Sequence, residues 1–144
     1  MKISSRFSVA VHILALLAIN PEAHNTSEWI ASSVNTNPVI VRNVLGQLKK
    51  GGLVTIRPGV GGAYLNKSLE TINLLEIYQA VEVVPAKGLF HLHEQPNPQC
   101  PVGANIQAVL EQVLLQAQFA LEQVLAQVTL KQLVAGLVEK INET

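Results

Sequence analysis

The chain has 144 residues, enough for one domain or one domain with an appendage, and enough to bury a real core. Apolar residues make up 49%, which excludes a disordered chain, and no apolar run approaches the roughly 20 residues of a membrane-spanning helix. The formal net charge is zero but unevenly placed: residues 1–67 hold seven Lys/Arg against two Glu, and residues 68–144 hold three against eight.

A basic half beside an acidic half is the pattern of a DNA-facing part joined to a part with another task. A solvated surface with chance asymmetry is the plainer alternative. One cysteine cannot form an internal disulfide, and the first residues show no signal-peptide pattern, so the expected location is the cytoplasm. No nucleophile elbow, no spaced carboxylate pair and no Asp occur, so no catalytic residue is assigned and no enzyme is expected.

In chain order, Ser4 to Ile19 reads as a first helix, with Phe7, Val11, Leu14 and Ala18 on one stripe that Ala10, Ile13 and Leu17 widen. Asn20-Pro21 ends it, because the residue before a proline is pushed out of the helical region. Asn25 or Thr26 then caps a second helix to Val34, with Glu28 placed as in a capping box and Trp29, Ile30 and Val34 as core contacts.

Asn35 to Asn37 is a short polar turn, after which Asn37 caps and Pro38 opens a third helix running to Lys50. Val41, Val44, Leu45 and Leu48 form its apolar stripe, and Ile40, Arg42, Asn43, Gln47 and Lys50 its front. Two helices joined so tightly predict a helix-turn-helix whose second helix enters the DNA major groove. Gly51-Gly52 stops the helix.

Leu53 to Ile56 and Ala63 to Leu65 form a hairpin around a tip carrying Arg57, Gly59, Gly61 and Gly62, which reads as a wing. Glycines let such a backbone approach a phosphate, and an arginine can enter a narrow minor groove. A nucleotide-binding loop is rejected, because no Gly-Lys-Ser/Thr follows and the loop joins two strands.

Thr71 or Asn73 caps a helix from Leu74 that ends before Pro85. Residues 85–103 read as an irregular loop holding His91, His93, Pro96, Pro98, Pro101 and Cys100. Ala104 to Val128 is a long helix, and Thr129 to Gln132 looks like a capping box opening a last helix to about Ile141. About 25 helical residues span nearly 40 Å, more than so small a body covers. A homodimer follows, with Val109, Val113, Ala117, Leu121 and Val124 at the interface. The fold class is therefore mainly α with a small β-hairpin: a winged helix-turn-helix over 1–84, a loop over 85–103 and dimerisation helices over 104–144.

The order of helix, helix-turn-helix, LKKGGLV, GVGGAY and INLLEIYQAVE before a long helix resembles the Rrf2 family of bacterial winged-helix transcription regulators, over essentially the whole chain. The resemblance implies a dimer whose long helices cross and whose two winged helices bind a palindromic operator, usually as a repressor. Family members with an iron–sulfur cluster carry three cysteines around the loop before the long helix. With Cys100 alone, no such cluster and no other cofactor is expected. The NPVIVR and PNPQCPVG segments look closer to the cluster-free, YwnA-like branch. The wing departs from the family in one respect: Pro58 separates Arg57 from the first glycine.

Arg42 and Asn43 are the base-reading candidates, since arginine grips guanine and asparagine adenine, and the family reads bases from these aligned positions. Asn35, Thr36, Asn37, Lys49, Lys50, Arg6 and Lys2 fit phosphate contacts or plain surface. Cys100 is the candidate sensor, with an inert thiol as the plainer reading. His91, His93, Glu94 and Cys100 are ligand types without a regular spacing, so no metal site is assigned. The expected partners are double-stranded DNA and a second copy; no membrane is expected, and no effector can be named. A winged helix that binds protein rather than DNA is the main alternative, and it has no need of basic residues on one face.

Overall fold

The computed structural model describes residues 5–22, 25–57, 62–82, 90 and 92–144. Its elements run α1 (Arg6–Ile19), α2 (Ser27–Val34), α3 (Pro38–Lys50), β1 (Val54–Arg57), β2 (Gly62–Leu65), α4 (Leu74–Val81), α5 (Pro101–Ala126) and α6 (Leu130–Asn142). The mainly α class with one hairpin and a long C-terminal helix is as predicted.

α1 is the central post. Ala10, Ile13, Leu14 and Leu17 are buried, whereas Phe7 and Val11 are only partly so. The predicted stripe is therefore rotated, because α1 meets α2, α3, α4, α6 and β2 rather than one neighbour. Phe7 instead packs edge-on against Tyr78 of α4, with ring centroids 5.9 Å apart.

Thr26, not Asn25, caps α2, its hydroxyl accepting the Trp29 N–H at 3.2 Å. Ile30 and Ala31 are buried, but Trp29 is exposed, so its expected core contact does not form. Asn35 closes α2 in the left-handed region at φ 64°. α3 follows the sequence closely: Val41, Val44, Leu45 and Leu48 are its buried residues. Gly52 turns the chain at φ 78°, with its N–H on Lys49 O and the Leu53 N–H on Leu48 O, both at 3.0 Å. This pair of bonds satisfies carbonyls that a helix end leaves open. Leu53 is thereby used in capping, and β1 starts one residue later than expected.

The hairpin pairs Val54 with Leu65 through to Arg57 with Gly62, antiparallel. Asn73 caps α4 by accepting the Glu76 N–H at 2.9 Å. The α5–α6 junction is stitched to the same place: Leu74 N–H donates to Val128 O at 2.9 Å and Leu130 N–H to Ile72 O at 2.8 Å. Leu130 is fully buried and belongs to the same apolar cluster as α1, α3 and α4. The predicted capping box of Thr129 and Gln132 is complete. α5 begins at Pro101 rather than Ala104, since a proline at the first helical position loses no bond.

Candidate nucleic-acid interface

Successive helix residues turn by about 100°, so the direction opposite the buried quartet of α3 is fixed by arithmetic. It falls on Val39, Asn43, Gly46 and Lys50, with Arg42 and Lys49 toward one flank and Ile40 and Gln47 toward the other. Val39 is 58% exposed, and Gly46 faces open space. Neither was among the predicted site residues. Val39 lies off the 41/44/45/48 stripe, and that spacing was the signal that could have found it. An exposed valine can meet a thymine methyl, and a bare glycine lets the helix approach a groove floor.

Arg42 sits on the α2 flank, where its guanidinium donates to Glu28 Oε1 at 3.1 Å. Both side chains are well exposed, so this pair contributes about 0–1 kcal/mol and yields readily to another acceptor. Asn43 lies toward the start of α1, in a shallow cavity of about 490 Å³ lined also by Ser5, Arg6, Ile40, Val44 and Gln47. The structure thus brings Arg6 and Asn43 to one cavity and places Arg42 about 100° further round the helix, on the α2 flank. The Ser5 side chain makes no capping bond to α1, whose first N–H groups favour an anion.

Asn37 uses its side-chain oxygen on the Ile40 N–H at 3.0 Å, so capping occupies the acceptor. Thr36 is half-buried, with its N–H on Ala31 O at 3.1 Å. Lys49 and Lys50 are exposed in the last turn of α3, where cations also suit the helix dipole. Arg57 closes β1 with its guanidinium 4.4 Å from the centre of the Tyr64 ring. Such a contact contributes about 0.5–1 kcal/mol at an exposed site and holds the arginine beside β2. Lys2, Gly59, Gly61 and His91 lie outside the described residues.

Cys100 is fully exposed at the N-cap of α5. Its sulfur makes no complete capping hydrogen bond, yet the nearby N–H groups of Gly103 and then Val102 favour the thiolate and lower the thiol pKa. α5 itself buries none of its residues. Val109, Val113 and Val124 are strongly exposed, whereas Leu121 is half-buried within the chain. Val102, Leu115 and Phe119 are equally open, and the predicted interface did not include them. Among the described residues, no helix is long and apolar enough to cross a membrane.

Two helices joined at a tight turn, with a hairpin directly behind the second, define a winged helix-turn-helix protein. The chain belongs to the Rrf2 family, whose model, described as "Iron-dependent Transcriptional regulator", matches residues 3–136. It is similar to a Bacillus subtilis (strain 168) protein named as an HTH-type transcriptional regulator, YwnA. The two are 47% identical over 129 residues, 90% of this chain and 94% of that one. A crystal structure described as that of a DNA-binding protein is 42% identical, with a TM-score of 0.73, covering 90% of this chain and 98% of its own. A transcriptional regulator from Lactobacillus plantarum is 30% identical, with a TM-score of 0.80, covering 94% and 91%.

Iron in the family's description raises the question of ligands. The chain holds one cysteine, and among the described residues no three His, Cys, Asp or Glu gather at one point. That donor set does not fit a cluster ligated by three cysteines per subunit.

Proposed function

We propose that this chain is a cytoplasmic, homodimeric repressor that binds a palindromic operator, uses no iron–sulfur cluster and performs no catalysis. The observation that carries the reading is the outward face of α3. It presents Asn43 and Lys50 with Arg42 at its edge, while its back is closed into the core and Arg57 stands on the hairpin behind it. A recognition helix needs such a face, and a protein-binding wing does not.

The winged helix-turn-helix would form the 1–84 unit, residues 85–103 the connection and 104–144 the dimerisation part. Dimerisation is supported by α5, whose 26 residues span about 39 Å. Val113 is 55% and Phe119 64% exposed, and a second copy related by a two-fold axis would cover the same face on both chains. Two-fold symmetry then calls for two half-sites about 34–36 Å apart or a multiple of it. The exposed Cys100 thiol supports a second reading, in which a thiol-directed signal modulates binding.

Selection of bound fragments from a random-sequence library tests the main reading. Enrichment of inverted repeats at that spacing is expected. Recovery of no enriched sequence, or of single unpaired sites, would overturn it.

A further inference from the structure

Among the described residues, one polar side chain is buried in the core: Asn25, 1% exposed, in the connection between α1 and α2. It does not cap α2. Its Nδ2 donates to Ala63 O at 3.0 Å, and its own carbonyl accepts the Ala63 N–H, also at 3.0 Å. Asn25 therefore satisfies both backbone groups of one residue of β2. A parallel bridge to Gly62 adds to this contact, so β2 has β1 on one edge and Asn25 on the other.

The approach at Gly62 is close. Its φ is 70°, and a Cβ there would stand 2.5 Å from the Asn25 carbonyl oxygen. Gly62 is also the ladder partner of Arg57. One continuous path thus runs from the α1–α2 connection through Asn25 and Gly62 to the arginine at the end of β1. A two-stranded hairpin of four-residue strands is marginal by itself, so an outside anchor decides where its end stands. Asn25 Oδ1 is buried without a hydrogen-bond partner, which leaves the Nδ2 bond to Ala63 O as the side chain's anchor among the described residues.

We propose that Asn25 is the positioning residue of the wing: its bonds to Ala63, with the close seat of Gly62, aim Arg57 at the minor groove beside the site read by α3. The proposal rests on the DNA-binding reading above and adds a residue on which that reading does not depend. Asn25→Ala removes the donor and leaves Ala63 O without its partner, while the α3 face stays as it is. Asn25→Asp sets a carboxylate against that carbonyl and has the larger effect.

The test uses full-length protein and DNA fragments that the wild type selects from a random-sequence library. Hydroxyl-radical footprinting reports the minor groove, and methylation of guanine N7 reports the major groove. Asn25→Ala is expected to lose hydroxyl-radical protection beside each half-site and to keep N7 protection. Its affinity should fall about tenfold, the scale of one arginine contact. Gly62→Ala should give the same pattern, and Asn25→Ala in an Arg57→Ala background should add no further loss. Retained minor-groove protection, additive losses, or loss of both protections together would each overturn the positioning role. The last outcome would make Asn25 a core residue only. If the wild type selects no DNA at all, the DNA-binding reading fails first and takes this proposal with it.

Discussion

α3 and α5 are both amphipathic helices, and they stand in opposite relations to the chain that carries them. The apolar stripe of α3 is closed completely: Val41, Val44 and Leu48 are fully buried, and the face left outside is mostly polar. α5 is twice as long and buries nothing, and what it leaves outside is Val109, Val113, Leu115, Phe119 and Val124. α3 is therefore finished by its own fold and offers groups suited to a polar partner. α5 is unfinished, and its outer face fits a partner that is itself apolar. In the proposed dimer a second copy would supply that partner, and the pairing would set two α3 faces on one DNA.

The largest expected effect comes from breaking the α5 side of this contrast. Replacing Val113 and Phe119 together by Glu should give a monomer by sedimentation. Affinity for an inverted repeat should fall about a hundredfold or more, because the second half-site is no longer tethered. A variant that stays dimeric would place the interface elsewhere. On the α3 side, Arg42→Ala should weaken specific binding by about 1–3 kcal/mol, while Lys50→Ala should weaken all sequences alike. Equal losses on selected and random DNA for Arg42→Ala would remove its base-reading role.

Smaller effects sharpen the picture. Glu28 holds the Arg42 guanidinium at 3.1 Å, so Glu28→Ala should raise affinity for the selected site by no more than about 1 kcal/mol. A loss instead would mean that Glu28 orients Arg42 rather than competing for it. At the start of α5, the lowered pKa of Cys100 means that its thiolate persists to lower pH than in a free cysteine. Its alkylation by iodoacetamide should therefore rise with pH around a midpoint below that of an unstructured cysteine peptide. A midpoint at or above that value would contradict the effect of the Gly103 and Val102 N–H groups.

The same contrast explains what could be read from the residues alone. α3 was legible from cap to stop, because Asn37, Pro38, the four-residue stripe and Gly51-Gly52 are all local signals acting within one helix. The capping box before α6 was local too. Asn25 and Thr26 both fit the cap of α2 by sequence, and Glu28 three residues after Asn25 does not decide between them. Yet Thr26 makes the cap, Glu28 turns to Arg42 and Asn25 turns to Ala63. Those partners lie on other elements, and nothing within the segment points to them. Trp29 and Phe119 failed in a related way. Trp29 is expected as a core contact and Phe119 is not named on the apolar face of the long helix, whereas exposure depends on which neighbours the fold supplies. The start of α5 shows a further limit: Pro98 and Pro101 look like loop residues, but Pro101 opens the helix, and Gly103 sits so close to the Asn97 carbonyl that no side chain fits.

The most direct test of the account is a salt titration of binding to a selected inverted repeat against a scrambled fragment of equal length. The account predicts tight, selective binding by a dimer, with log affinity falling linearly in log salt by about 0.9 for each phosphate neutralised. The Lys50→Ala protein, having lost one such contact on each subunit, should show a correspondingly shallower slope. Equal affinity for the two fragments, or no binding of either at low salt, would contradict the reading of α3 as a recognition helix and leave a protein partner as its occupant.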